Sequence, residues 1–158
     1  MRPILWLAAL DPLPGGAAQQ HAARLQEPAS ASRRPGPVHI LVVDDEPGML
    51  HLARIFLQEE FPNVRVSTAE NAEAGLRVLE EQTVDLVVSD FRMPGMDGLE
   101  FLARVTQVPA ARRILLTALS DPGLHERALG SGIGACVQKS LGPGELLEAV
   151  RRALAQPD

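Results

Sequence analysis

From Val38 onward, short apolar runs alternate with longer stretches in which apolar residues recur every three or four positions. Val38–Val43 (VHILVV) is a run of strand length that stops at Asp44-Asp45-Glu46. Pro47 suits the first turn of a helix, where its missing N–H has no partner to lose. Met49, Leu52, Ala53, Phe56 and Leu57 then fall at i, i+3, i+4, i+7 and i+8, which predicts an amphipathic helix with that stripe inward. Pro62-Asn63 breaks the pattern and Val64–Thr68 reads as a second strand, followed by a helix marked by Ala72, Gly75, Leu76 and Leu79. Val84, Leu86, Val87 and Val88 form a nearly continuous apolar run, as in a strand buried on both faces of a parallel sheet. It stops at Ser89-Asp90. Met93-Pro94-Gly95 turns the chain, and Asp97 can cap a helix that starts near Gly98 and turns Leu99, Leu102 and Val105 to the core. Arg113–Thr117 predicts a fourth strand, and Asp121-Pro122 opens a helix over Leu124–Leu129 that Gly130-Ser131-Gly132 ends. Gly134–Gln138 predicts a fifth strand ahead of Lys139, and Pro143 begins a last helix with Leu146, Leu147, Val150, Ala153 and Leu154 on one face.

Five strand–helix repeats with short connections predict an α/β fold with a parallel sheet and right-handed crossovers. A three-layer, flavodoxin-like (βα)5 sandwich with strand order 2-1-3-4-5 fits the length. Open sheets of this kind place ligands at the C-terminal edge of the strands. Asp44, Asp45, Asp90, Thr117 and Lys139 all fall at that edge, at the ends of four different strands.

Residues 1–37 look different. Ile4–Leu10 is an apolar run after Arg2, which weakly resembles a secretion signal, but Asp11-Pro12 cuts it short. The Pro, Gly, Ala, Gln and Ser that follow predict a disordered arm, or an N-terminus spuriously extended ahead of a domain spanning 38–156. No apolar run is long enough to cross a membrane. The net charge of −5 argues against a general nucleic-acid binder. The arm holds four arginines against one aspartate and one glutamate, so the remainder is more acidic than the whole. A single cysteine excludes an intrachain disulfide framework and fits a reducing compartment. Lys139 is the only lysine among 15 basic residues, and its position therefore calls for a reason.

Three carboxylates at one site repel one another unless a cation is present. All-oxygen donors favour a hard ion, and Mg²⁺ held by Asp45 and Asp90, with Asp44 acting through water, would offset the repulsion. A carboxylate can also be a nucleophile toward a phosphoryl group, giving an aspartyl phosphate. Such a transfer needs in-line positioning and cationic neutralisation, for which Lys139 offers a compact charge and Thr117 a hydroxyl donor. Taken singly, Asp44 could simply end a strand, Thr117 be a β-branched strand residue, and Lys139 a solvated charge. Their arrival together at the ends of different strands is what marks a phosphoryl-acceptor site.

The segment from Val38 to about Ala155 resembles the receiver domain of two-component response regulators. The resemblance is carried by the acidic pair Asp44-Asp45, by Asp90 with Met93-Pro94 and Asp97-Gly98, by Thr117-Ala118 and by Lys139. It implies that Asp90 is the phosphoacceptor and that the backbone carbonyl of Arg92 completes the Mg²⁺ ligands. A histidine kinase or histidine phosphotransfer protein would be the donor. With few residues after the last helix, it implies a stand-alone cytoplasmic receiver without an output domain, not an enzyme in its own right. Such a receiver would work through an unidentified effector protein and neither bind DNA directly nor meet a membrane.

Two positions depart from that family. Its proline after the lysine, joined by a cis bond, is Ser140 here; a non-proline cis bond costs about 2.5–4 kcal/mol, so a trans bond is expected. Its aromatic switch residue, three before the lysine, is Cys136, and output is expected near Arg127, Gln138 and Arg151 without an aromatic switch. Arg92 and Leu119 stand where the family's residues flank the path of the attacking water, which implies a long-lived phospho-Asp90. A phosphatase of the haloacid-dehalogenase type would need an acid two residues after Asp90, where Arg92 stands. The remaining alternative is a pseudo-receiver, folded alike and used only as an interaction scaffold.

Overall fold

A computed structural model of the chain describes residues 36–105, 111–118 and 120–156. The expectations for residues 1–35 and for Leu119 lie outside these. The elements run β1 (Val38–Val43), α1 (Pro47–Glu60), β2 (Val64–Ala69), α2 (Ala72–Glu81), β3 (Leu86–Asp90), α3 (Gly98–Val105), β4 (Arg112–Thr117), α4 (Pro122–Gly130), β5 (Ala135–Gln138) and α5 (Pro143–Ala155). A 3-10 turn, Lys139–Leu141, joins β5 to α5. All four strand pairings are parallel, in the order β2-β1-β3-β4-β5.

Alternation along the strands divides the core. Leu41 and Val43 of β1, Val87 of β3 and Leu115 of β4 point to one face and pack with Ala72, Phe101, Leu102, Leu124 and Ala128 from α2, α3 and α4. Ile40, Val42, Leu86, Val88, Ile114 and Leu116 point to the other and meet Leu50, Ala53, Leu57, Leu146, Ala149 and Val150 from α1 and α5. A strand covered on both faces has no polar positions to spare, which is why β1 and β3 read as continuous apolar runs.

The structure corrects several boundaries. Asp90 is the last residue of β3, not the first after it, and Lys139 opens the 3-10 turn while β5 begins at Ala135. β2 extends to Ala69 and β4 starts at Arg112. In α1 the inward residues are Leu50, Ala53 and Leu57, whereas Met49 and Phe56 are half-buried and Leu52 is 47% exposed. Two positions along a helix turn the side chain by about 200°, so a helix seated on Leu50 must send Leu52 outward.

Three helix starts are held by side chains, α4 by the Asp121 Oδ1, which accepts the Gly123 N–H at 2.9 Å. The Asn71 Oδ1 accepts the Ala74 N–H at 2.8 Å, and the Asp97 Oδ1 accepts the Glu100 N–H at 2.8 Å. The Asp97 cap is the one expected. Among the described residues no helix is long and apolar enough to cross a membrane.

Candidate functional site

The C-terminal ends of β1, β3, β4 and β5 lie at one edge, and parallel register carries their last residues there together. Leu116 is level with Asp90, and Thr117 with Gln138, which directly precedes Lys139. Asp44, immediately after β1, is 1% exposed. Its N–H donates to the Ala69 carbonyl at 3.1 Å, and its Oδ1 accepts the Glu46 N–H at 3.0 Å. Its other oxygen, Oδ2, accepts from the Lys139 Nζ at 2.6 Å.

Lys139 makes a second ion pair, at 3.0 Å, with the Asp90 Oδ1. The ammonium therefore bridges carboxylates from β1 and β3, although it leaves the chain after β5, with β4 in between. Lys139 also lines a small groove of about 230 Å³ with Leu116, Val137 and Leu146. Asp45 is exposed, yet one carboxylate oxygen from each of Asp44, Asp45 and Asp90 lies within 4.8 Å of the others.

Burial raises the Asp90 carboxyl above its ordinary value; Lys139 opposes this by hydrogen bond and charge, and Asp44 and Asp45 add repulsion. For Lys139, burial disfavours the charged form, but the hydrogen bonds and charges of Asp44 and Asp90 outweigh it and hold the ammonium above its usual range. One ammonium facing three carboxylates leaves the cluster short of positive charge. An oxygen-only donor set with that deficit fits a hard divalent cation such as Mg²⁺.

Thr117 is buried at the end of β4, and Arg92 lies on the exposed loop after β3. The described peptide bonds are all trans, Lys139–Ser140 among them. Cys136 is half-buried in β5, and burial pushes its thiol up. The sequence reading did not single out Ser89. It is fully buried, and its Oγ–H donates to the Asp90 carbonyl at 3.0 Å. A serine beside a strand-end aspartate carries no periodic signal that would have marked it.

Residues 40–151 match the model of the response regulator receiver domain. The transcriptional regulatory protein GlrR of Escherichia coli (strain K12) is 39% identical over 121 residues, which cover 76% of this chain and 27% of that protein. The chain thus spans about a quarter of that relative's length. An uncharacterised 14.6 kDa protein of Leptolyngbya boryana is 38% identical over 116 residues, covering 72% of this chain and 87% of that protein. Among solved structures, the response regulator TrrA of Thermotoga maritima, in complex with Mg²⁺ and BeF, is 37% identical with a TM-score of 0.65, covering 73% of this chain and 98% of that one. Fold, sheet order and family match agree, and the chain belongs to the response regulator receiver family.

Proposed function

We propose that Asp90 accepts a phosphoryl group in a Mg²⁺-dependent reaction and that the phosphorylated domain changes its contacts with other proteins. The observation that carries this is the Lys139 Nζ held 2.6 Å from Asp44 and 3.0 Å from Asp90, beside a third carboxylate. In the reaction an Asp90 carboxylate oxygen attacks the phosphorus of a donor phosphohistidine; the new O–P bond forms as the P–N bond to the imidazole breaks. Lys139 stays beside Asp90 and meets the phosphoryl oxygens as a compact charge. The Thr117 hydroxyl, at the end of the adjacent strand, donates to one of them.

Mg²⁺ would be held by Asp45, Asp90 and the Arg92 carbonyl, with Asp44 acting through water, and would supply neutralisation of the phosphoryl charge. Asp44 is already committed to Lys139 and to the Glu46 N–H, which suits an indirect role. Donors of this chemistry are a histidine kinase or a histidine phosphotransfer protein, and the readers of the phosphorylated state are effector proteins or domains. The test is incubation with acetyl phosphate, with and without Mg²⁺, followed by intact-mass measurement. A gain of one phosphoryl group only with Mg²⁺, absent in Asp90→Ala, is expected. No gain in the wild type would favour the interaction scaffold instead.

A further inference from the structure

The Asp90 carbonyl is closed in from two sides. Ser89, fully buried, donates its hydroxyl to that oxygen at 3.0 Å. Gly98, the first residue of α3, is buried against the same atom. A Cβ at Gly98 would stand 2.0 Å from the Asp90 oxygen, 2.8 Å from its carbonyl carbon and 3.0 Å from the Phe91 Cα. Gly98 also donates its N–H to the Phe91 carbonyl at 2.9 Å, which ties the start of α3 to the residue after Asp90. The need for glycine here is one of space. Gly95 in the same loop has φ +79° and needs conformational freedom; Gly98 is not among the glycines with positive φ.

We propose that Gly98, together with Ser89, is a positioning element for the Asp90 carboxylate: the bare Cα of Gly98 is the stop against which the Asp90 peptide is seated. The proposal rests on the reading of Asp90 as the reacting carboxylate. The carbonyl carbon that a Gly98 methyl would strike is bonded to the Asp90 Cα, so relief of the overlap moves the side chain. Reactive constellations tolerate about 0.5 Å of misplacement, and about 1 Å can cost a hundredfold in rate. A 2.0 Å approach is far inside ordinary van der Waals contact, so relief exceeds that tolerance unless α3 alone gives way.

The lone lysine provides the readout. Because Lys139 is the only lysine, ¹³Cε-lysine labelling of the full chain gives one side-chain signal, from the ammonium that pairs with Asp90. Gly75→Ala is the control: its Cβ would stand 2.9 Å from the Phe101 ring and 3.1 Å from the Val43 Cγ2, so it also overpacks the molecule, but against core side chains and not against the Asp90 backbone. In metal-free protein, Gly98→Ala is expected to shift the Lys139 signal, and Gly75→Ala to leave it in place. Mg²⁺ binding by calorimetry should weaken about tenfold or more in Gly98→Ala and less than twofold in Gly75→Ala. Ser89→Ala leaves room and removes only the hydroxyl; it should shift the signal less and lower the melting temperature only by the loss of one buried hydrogen bond, and it decides the matter if Gly98→Ala does not fold. An unmoved Lys139 signal in whichever of Gly98→Ala and Ser89→Ala folds would overturn the proposal, as would an equal shift in Gly75→Ala. Failure of wild-type Asp90 to take up phosphate would instead count against the phosphoacceptor reading, since the Lys139 signal needs neither metal nor phosphate.

Discussion

Lys139 sits between two buried acids with its own side chain only 15% exposed, so both its charge and its shape are specified. A guanidinium is a planar fork wider than an ammonium and cannot take the same place between Asp44 and Asp90. Lys139→Arg and Lys139→Ala are therefore expected to lose phosphorylation-dependent partner binding to a similar degree; wild-type binding by Lys139→Arg would show that charge alone matters. Asp45 is the contrasting case. It is exposed, and among the described residues no hydrogen bond or ion pair of its side chain ties it to the fold, so Asp45→Ala should leave metal-free stability within about 0.5 kcal/mol of wild type or raise it by relieving repulsion. On the proposed ligand set the same change should sharply weaken Mg²⁺ binding, because it removes a direct oxygen ligand. Calorimetric titration and a thermal melt together check both halves. These residues were legible in the sequence because chemistry at strand ends stands out against apolar runs. Ser89 and the space requirement at Gly98 were not, since a close approach between backbone segments has no signature in residue type alone.

The helices and strands differ in how far their patterns could be read. A strand buried on both faces declares itself by apolar content, and the five predicted strands all form, β1 with the expected bounds and the others with ends off by no more than two residues. A helix declares a stripe, but the choice between two overlapping stripes is made by what it packs on. In α1 both Leu50-Ala53-Leu57 and Met49-Leu52-Phe56 keep helical spacing, and contact with the β1–β3–β4 face selects the first. Leu57→Ala, at a position with no exposure, is expected to cost about 2–5 kcal/mol. Leu52→Ala, on the opposite side, should change stability by no more than about 0.5 kcal/mol. Urea unfolding of the two variants checks the assignment, and equal losses would contradict it. The end of β3 was misjudged for a related reason: ladder bonds continue as far as partners exist. The Phe91 N–H still donates to the Leu116 carbonyl at 2.7 Å, which keeps Asp90 inside the strand.

Five strand–helix repeats call for a parallel sheet, and the order 2-1-3-4-5, expected as one that fits the length, is the order observed. That order puts β1 beside β3, which brings Asp44 and Asp90 to adjacent strand ends, with Lys139 arriving from β5 two strands beyond β3. The layers of helices on either face hold the strands in register and leave the C-terminal edge as the place where charge gathers. The most direct measurement of the central claim is reductive trapping. Borohydride converts an aspartyl phosphate to homoserine, which peptide sequencing by mass spectrometry locates to a single position. After incubation with acetyl phosphate, homoserine at position 90 in the presence of Mg²⁺, and none in its absence, is expected. Homoserine at any other aspartate, or at position 90 to the same extent without Mg²⁺, would contradict the assignment of Asp90 and its acidic neighbours.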